Sequence, residues 1–100
     1  MSRTAVRRVL VAYDLPDDKR RAALARVLEG FGDRVQFSVF VVDAAPSRLV
    51  RMRHELAAVM APTVDSILIC DLGPVSRLTD ATFSWLGRSR PITSVDSFIV

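Results

Sequence analysis

The chain has 100 residues, of which 50% are hydrophobic and 25% are charged, with a formal net charge of +3 at pH 7. This length accommodates one hydrophobic core, so we expect a single domain over residues 1–100. No apolar run approaches the length of a membrane-spanning helix, and the first apolar stretch is too short for a signal-peptide core, which predicts a cytoplasmic protein with no membrane partner.

The numbers of cysteine, histidine and arginine residues exclude some kinds of site and favour others. Cys70 is the only cysteine, which excludes an intrachain disulfide, and its apolar neighbours predict a buried, inert thiol. His54, the only histidine, is expected on a helix surface, so neither a zinc site nor a His-based catalytic centre is supported. Lys19 is the only lysine among 14 basic residues. An arginine excess is compatible with phosphate binding and equally with a GC-rich genome.

The first predicted elements are a strand and a helix. Residues 7–14 have a continuous apolar part, which is typical of a central strand covered on both faces. Pro16 with Asp17 and Asp18 in the first turn predicts a helix start. The helix is supported by apolar residues at helical spacing and by glycines at its end: Leu24, Val27, Leu28 and Phe31, then Gly30 and Gly32.

From residue 34 onward, the hydrophobic pattern of the sequence is less regular. Residues 34–42 predict β structure, as one long bent strand or as two strands. A loop at 43–47 leads into a second helix that Pro62 closes, and residues 66–72 predict another strand. Residues 73–90 have no clear pattern, and 80–86 fits a helical turn or an extended link. The final apolar segment predicts a strand that must pair with something.

This order predicts an α+β fold. Two helices over an antiparallel sheet give the ferredoxin-like βαββαβ sandwich, provided that residues 34–43 supply the second and third strands.

Asp14 is the main candidate for chemistry because it follows the first strand directly. Mg²⁺ takes one or two carboxylates together with waters and a substrate phosphate. One Asp14 is too few for a tight site, but a two-fold dimer would present two to one ion and one phosphodiester. The plainer interpretation is that Asp14 belongs to the turn. The four glycines are scattered, so a phosphate-binding loop is not supported.

Several segments together resemble one family. They are VLVAYDLPDDKRR around Asp14, RVQFSVF at residues 34–40, RLVRMRHEL in the second helix and DSILICDLG. In a chain of this length they resemble the CRISPR-associated adaptation protein known as Cas-two (Cas2). The resemblance implies a ferredoxin-like homodimer in which an extra C-terminal strand extends the partner's sheet. It also implies that Asp14 from both protomers binds Mg²⁺ at the dimer interface.

The family's activities imply two functions for this chain. Some members are metal-dependent endonucleases on RNA or double-stranded DNA, which makes Asp14 the catalytic residue. Family members also form the central dimer of the spacer-integration complex, in which they bridge dimers of the Cas-one (Cas1) integrase and bind the prespacer DNA duplex. The alternative hypothesis is therefore a non-catalytic DNA scaffold. In both, we expect four arginines to bind nucleic acid: Arg20, Arg21, Arg48 and Arg51.

A third hypothesis from another class is a small regulatory domain that binds a metabolite. Such a domain would carry a glycine-rich loop after the first strand. Residues 14–18 are acidic and contain no glycine, which disfavours it.

Overall fold

A computed structural model describes residues 5–92. Its elements are β1 (Arg7–Asp14), α1 (Asp18–Glu29), β2 (Asp33–Gln36), β3 (Val39–Ala44), α2 (Pro46–Val59) and β4 (Ser66–Pro74). Two 3₁₀ turns follow, Val75–Arg77 and Asp80–Thr82. The predicted βαββαβ order is confirmed, and the region left open as one strand or two forms the two strands of a hairpin.

The four strands form one antiparallel sheet in the order β2-β3-β1-β4. In its register, Val11 of β1 lies opposite Phe40 of β3 and Ile69 of β4. This order confirms the predicted α+β, ferredoxin-like fold. The extra strand expected at the C-terminus falls on residues 93–100, outside the described residues.

The core lies between the sheet and the two helices. Side chains alternate along β1, so Val9, Val11 and Tyr13 point toward the helices and are buried. The helices bury apolar side chains from one face each, Leu24 and Leu28 from α1 and Met52 and Leu56 from α2. Each such side chain contributes about 1.5–3 kcal/mol through removal from water.

None of the helices within residues 5–92 has the length and apolar character that crossing a membrane requires.

Helix α1 begins later than the sequence suggests. Asp17, predicted to lie in the first turn, has extended backbone (φ −83°, ψ 126°) and is the N-cap. Its carboxylate accepts a hydrogen bond of 2.8 Å from the Arg20 N–H. A carboxylate placed before the helix satisfies an N–H that has no partner within the helix, which outweighs one more helical residue.

Among residues 5–92, no α-helix covers the second face of the sheet. Phe83 and Trp85, after the 3₁₀ turns, lie over part of this face and enclose a cleft of about 180 Å³ against Leu10 and Val41. Leu68 on β4 is 61% exposed on the same face. The continuous apolar pattern of β1 is therefore explained by helices on one side and by incomplete cover on the other.

The prediction that Cys70 is buried is wrong, because its thiol is exposed. Strand β4 alternates, so Ile67 and Ile69 pack against the helix-side core while Cys70 points to the open face. An apolar run cannot show which of its residues face which side.

Candidate functional site

Asp14 ends the central strand on the face of the sheet that the helices leave open. Alternation along β1 buries Tyr13 and exposes Asp14, whose register partner on β4 is Ser66. Within residues 5–92 no hydrogen bond or ion pair engages its carboxylate. Leu15 returns to the core and Pro16 follows, which removes a backbone donor and stops the strand. The Asp14 carboxylate is thus free to bind a cation.

Tyr13 holds the backbone that carries Asp14. Its N–H donates to the Ser38 carbonyl at 3.0 Å, and its hydroxyl donates to the Phe37 carbonyl at 3.4 Å. Its ring stacks on that of Phe40 with centroids 6.3 Å apart. The strand end is therefore fixed to the β2–β3 turn, which limits the positions that the Asp14 carboxylate can reach.

Arg20 lies at the start of α1 and pairs with Asp65. Its Nε and Nη2 donate to the two oxygens of the Asp65 carboxylate at 2.7 and 3.0 Å, and the Ala61 N–H donates to the same carboxylate at 2.8 Å. The bonds from Arg20 hold the pKa of Asp65 below its ordinary value, against the opposing effect of burial. Since Asp65 precedes Ser66, the pair ties α1 to the strand end beside Asp14.

Arg21 lies at the same end of the molecule. Its Nη1 donates to the Leu15 carbonyl at 2.7 Å, and its Nη2 contacts the carboxylate of Asp18. Arg20 and Arg21 therefore both lie near the Asp14 turn. Both guanidinium groups also hold the chain's own oxygens, so only their remaining N–H groups face a ligand.

Arg48 and Arg51 lie elsewhere. Arg48 donates to the Gly30 carbonyl at 2.8 Å, and its guanidinium lies 4.5 Å from the centre of the Phe31 ring. Gly30 and Phe31 directly follow the last residue of α1, whereas Arg20 lies at the start of this helix. Because α1 is about 18 Å long, Arg48 and Arg20 are far apart. Arg51 is exposed, with Nε 3.9 Å from Glu55. Arg20 and Arg21 thus lie at one end of the helix layer and Arg48 at the other, with Arg51 about one turn further along α2.

Within residues 5–92, the ligands grouped in one chain are too few for a metal site. The described part of the chain contains no group of three His, Cys, Asp or Glu side chains that could hold a metal ion. Two Asp14 side chains related by a two-fold axis match the one or two carboxylates that Mg²⁺ takes when waters and a phosphate complete its shell. Among the described residues, a single Asp14 therefore supplies too few oxygens for a tight Mg²⁺ site.

Asp65 is the residue whose contribution the sequence does not reveal. The sequence predicts only that it ends the loop before β4. Its partner Arg20 is 45 residues away, and the only local signal is an acidic residue before an apolar strand.

The chain matches known proteins in sequence. A family model described as CRISPR associated protein Cas2 matches residues 7–79, which include Asp14 and the four arginines. A Rhodospirillum rubrum protein named CRISPR-associated endoribonuclease Cas2 4 is 44% identical over 62 residues, 62% of this chain and 50% of that protein. A Mycobacterium tuberculosis H37Rv protein named CRISPR-associated endoribonuclease Cas2 is 35% identical over 91 residues, 91% of this chain and 74% of that protein. The chain therefore spans half the length of the R. rubrum relative.

Two solved structures show the same fold. A hypothetical protein from Thermus thermophilus is 32% identical with a TM-score of 0.73, over 88% of this chain and 99% of that one. Streptococcus pyogenes Cas2, crystallised at pH 6.5, is 30% identical with a TM-score of 0.69, over 80% and 99% respectively. The likeness covers almost the whole of both neighbours.

Proposed function

The chain belongs to the CRISPR associated protein Cas2 family, and on that premise we propose that it is a homodimeric CRISPR adaptation protein that binds nucleic acid and cleaves its phosphodiesters with Mg²⁺. The observation that carries the proposal is the exposed carboxylate of Asp14 at the end of the central strand, which has no partner among residues 5–92. The name endoribonuclease, given to curated relatives, supports nuclease activity on RNA, and double-stranded DNA is the second substrate proposed.

The open face of the sheet supports the homodimer. Leu10 and Leu68 lie on this face, and Leu68 is 61% exposed. Asp14 shares the face, because it follows Leu10 and Ala12 in the alternation of β1. A two-fold contact through this face covers the apolar side chains and brings the Asp14 residues of both protomers toward one another.

The proposed cleavage divides the work between Asp14 and the arginines. Bound Mg²⁺ would polarise the scissile phosphate and make a coordinated water more acidic. Asp14 of each protomer supplies carboxylate oxygens for the ion, and Tyr13 keeps that carboxylate in place through its bond to Ser38. Arg20 and Arg21, which lie at the same end, would contact the adjacent phosphates.

Cleavage assays with matched variants test this proposal. Labelled RNA and duplex DNA are incubated with wild type, Asp14→Asn and Glu29→Gln, each with Mg²⁺ or with EDTA. Glu29 is an exposed acidic residue at the far end of α1 and is the control. We expect Mg²⁺-dependent cleavage that Asp14→Asn lowers by at least about 100-fold and Glu29→Gln leaves unchanged. Equal rates for wild type and Asp14→Asn would overturn the catalytic assignment.

A second candidate is the non-catalytic scaffold of the spacer-integration complex, with Cas1 integrase and a prespacer DNA duplex as partners. The observation in its favour is that no cluster of metal ligands forms within residues 5–92 of one chain. Arginines distributed from one end of the helix layer to the other also suit an extended duplex better than one scissile bond. The scaffold predicts that Asp14→Asn keeps duplex binding and integration by Cas1, while Arg48→Ala with Arg51→Ala weakens both.

A further inference from the structure

A cleft of about 270 Å³ lies where the end of β2 meets the segment after the second 3₁₀ turn. Its lining combines aromatic and basic side chains from two distant parts of the sequence: Val35, Gln36, Phe37, Trp85, Arg88 and Arg90. The cleft is separate from the four arginines discussed above, which lie on the helices.

The aromatic side of the cleft is Phe37 with Trp85. Phe37 is 71% exposed, although it lies in a turn whose backbone is bonded to Tyr13 at both Phe37 and Ser38. Trp85 is half-buried, because it also lines the neighbouring cleft against Leu10 and Val41. The Phe37 ring thus lies on an anchored turn and presents most of its surface to solvent, while the Trp85 ring lies partly against the sheet.

The two arginines on the basic side of the cleft differ in their bonding from the four arginines assigned above to nucleic-acid binding. Arg88 and Arg90 are both exposed, and within residues 5–92 neither has an ion pair or a hydrogen bond to its side chain. Arg20, Arg21 and Arg48 are bonded to oxygens of the chain. The cleft therefore carries two uncompensated positive charges beside two aromatic rings.

We propose that this cleft binds unpaired nucleotides of a single-stranded nucleic acid, with bases stacked on Phe37 and Trp85 and phosphates bound by Arg88 and Arg90. A planar base is the ligand surface that an exposed aromatic ring binds best, and an arginine pair favours the adjoining backbone. A duplex keeps its bases stacked inside and cannot use the rings. This inference adds a binding site apart from Asp14 and from the four helix arginines, and it rests on the proposed function only for nucleic-acid binding.

Trp85 reports binding at this cleft directly, because it is the only tryptophan of the chain. Its fluorescence is followed in EDTA, which prevents cleavage, while a single strand of about ten thymidines or the matching duplex is added. We expect the single strand to quench Trp85 and to bind more tightly than the duplex. A negative cleavage assay leaves this measurement unaffected, so failure of the nuclease proposal can be distinguished from failure of the proposed single-strand site.

Variants separate stacking from charge. Phe37→Ala should weaken single-strand binding by about tenfold, and Phe37→Tyr should keep it. Arg88→Ala with Arg90→Ala should lower the slope of log affinity against log salt by about 1.4, since each lost phosphate contact removes about 0.7. Arg26→Ala, an exposed arginine on α1, is the control and should change neither.

Two results would overturn the proposal. The first is equal binding of single strand and duplex with Trp85 fluorescence unmoved by both. The second is quenching by polyglutamate as strong as that by the oligonucleotide, which would make the cleft a site for acidic protein segments. Phe37 is exposed, so loss of folding in Phe37→Ala is not expected, and the wild-type titration decides independently of any variant.

Discussion

Tyr13 and Asp14 are adjacent in the chain and have opposite environments. The Tyr13 ring packs in the helix-side core, and its polar atoms are bonded to the β2–β3 turn. The Asp14 carboxylate is exposed on the other face with no partner in the described part of the chain. Successive side chains of a strand point to opposite faces of the sheet, so a buried residue can hold the backbone that carries an exposed neighbour. A functional carboxylate on such a support needs little reorganisation to bind an ion.

The Arg20–Asp65 pair makes stability depend on pH. Bonds from Arg20 lower the pKa of Asp65 in the folded protein, so the unfolded chain binds a proton at higher pH than the folded chain does. The pair therefore stabilises the fold above the ordinary carboxyl pKa of 3.8, and this contribution is lost as pH falls through the folded-state pKa. We expect Asp65→Asn to be less stable at pH 7 and to lose less stability than wild type from about pH 5 downward.

Urea denaturation at a series of pH values measures this difference. Asp80→Asn, an exposed carboxylate in the second 3₁₀ turn, is the control and should keep the wild-type dependence. Some acid sensitivity should survive in Asp65→Asn, because Arg7 and the Gly73 N–H also lower the pKa of Asp71. Identical pH dependence in Asp65→Asn and wild type would show that the pair does not act in this way.

The turn between α1 and β2 depends on one of its two glycines. A Cβ on Gly32 would overlap the Val41 carbonyl oxygen and lie 2.8 Å from Cγ2 of Val42 on β3, whereas a Cβ on Gly30 would lie 3.3 Å from the Val27 carbonyl oxygen. We expect Gly32→Ala to lower the free energy of unfolding by about 1–3 kcal/mol, because the backbone must shift. Gly30→Ala should change it much less. Chemical denaturation compares the two variants, and an equal effect would contradict the close approach.

At the scale of elements, the sequence predicted what local patterns control. Helical spacing identified α1, because the burial of Leu24 and Leu28 is a property of one segment. The sequence does not decide between one strand and a hairpin at Phe37 and Ser38, since neither is a glycine, proline, asparagine or aspartate and serine supports turns only weakly. The prediction of a buried Cys70 is wrong because both faces of β4 carry apolar residues. Asp14 could be chosen as a candidate from its position after a strand, whereas its face and its support by Tyr13 follow only from the register.

At the scale of the whole molecule, residues 5–92 form two layers, a sheet and a pair of helices, and leave one sheet face incompletely covered. Residues 83–92 cover part of that face, on the side of β3, where Phe83 and Trp85 lie against Leu10 and Val41. Leu68 and Cys70 of β4 stay exposed. A chain with a 50% hydrophobic composition thus leaves apolar strand residues uncovered beside Asp14, which is the arrangement expected of a protomer that completes itself by association.

Substitutions at two positions of nearly equal exposure test the association of two protomers through the open face. Leu68 on the open face is 61% exposed, and Val64 in the α2–β4 loop is 59% exposed. Leu68→Asp places a charge in the proposed interface twice, once from each protomer, so we expect the dimer dissociation constant to rise by tenfold or more, on the order of the cost of losing one interface anchor. Val64→Asp adds the same charge outside the face and should leave it unchanged. Sedimentation equilibrium measures both constants, and a dimer that is insensitive to Leu68→Asp would place the interface elsewhere and separate the two Asp14 side chains.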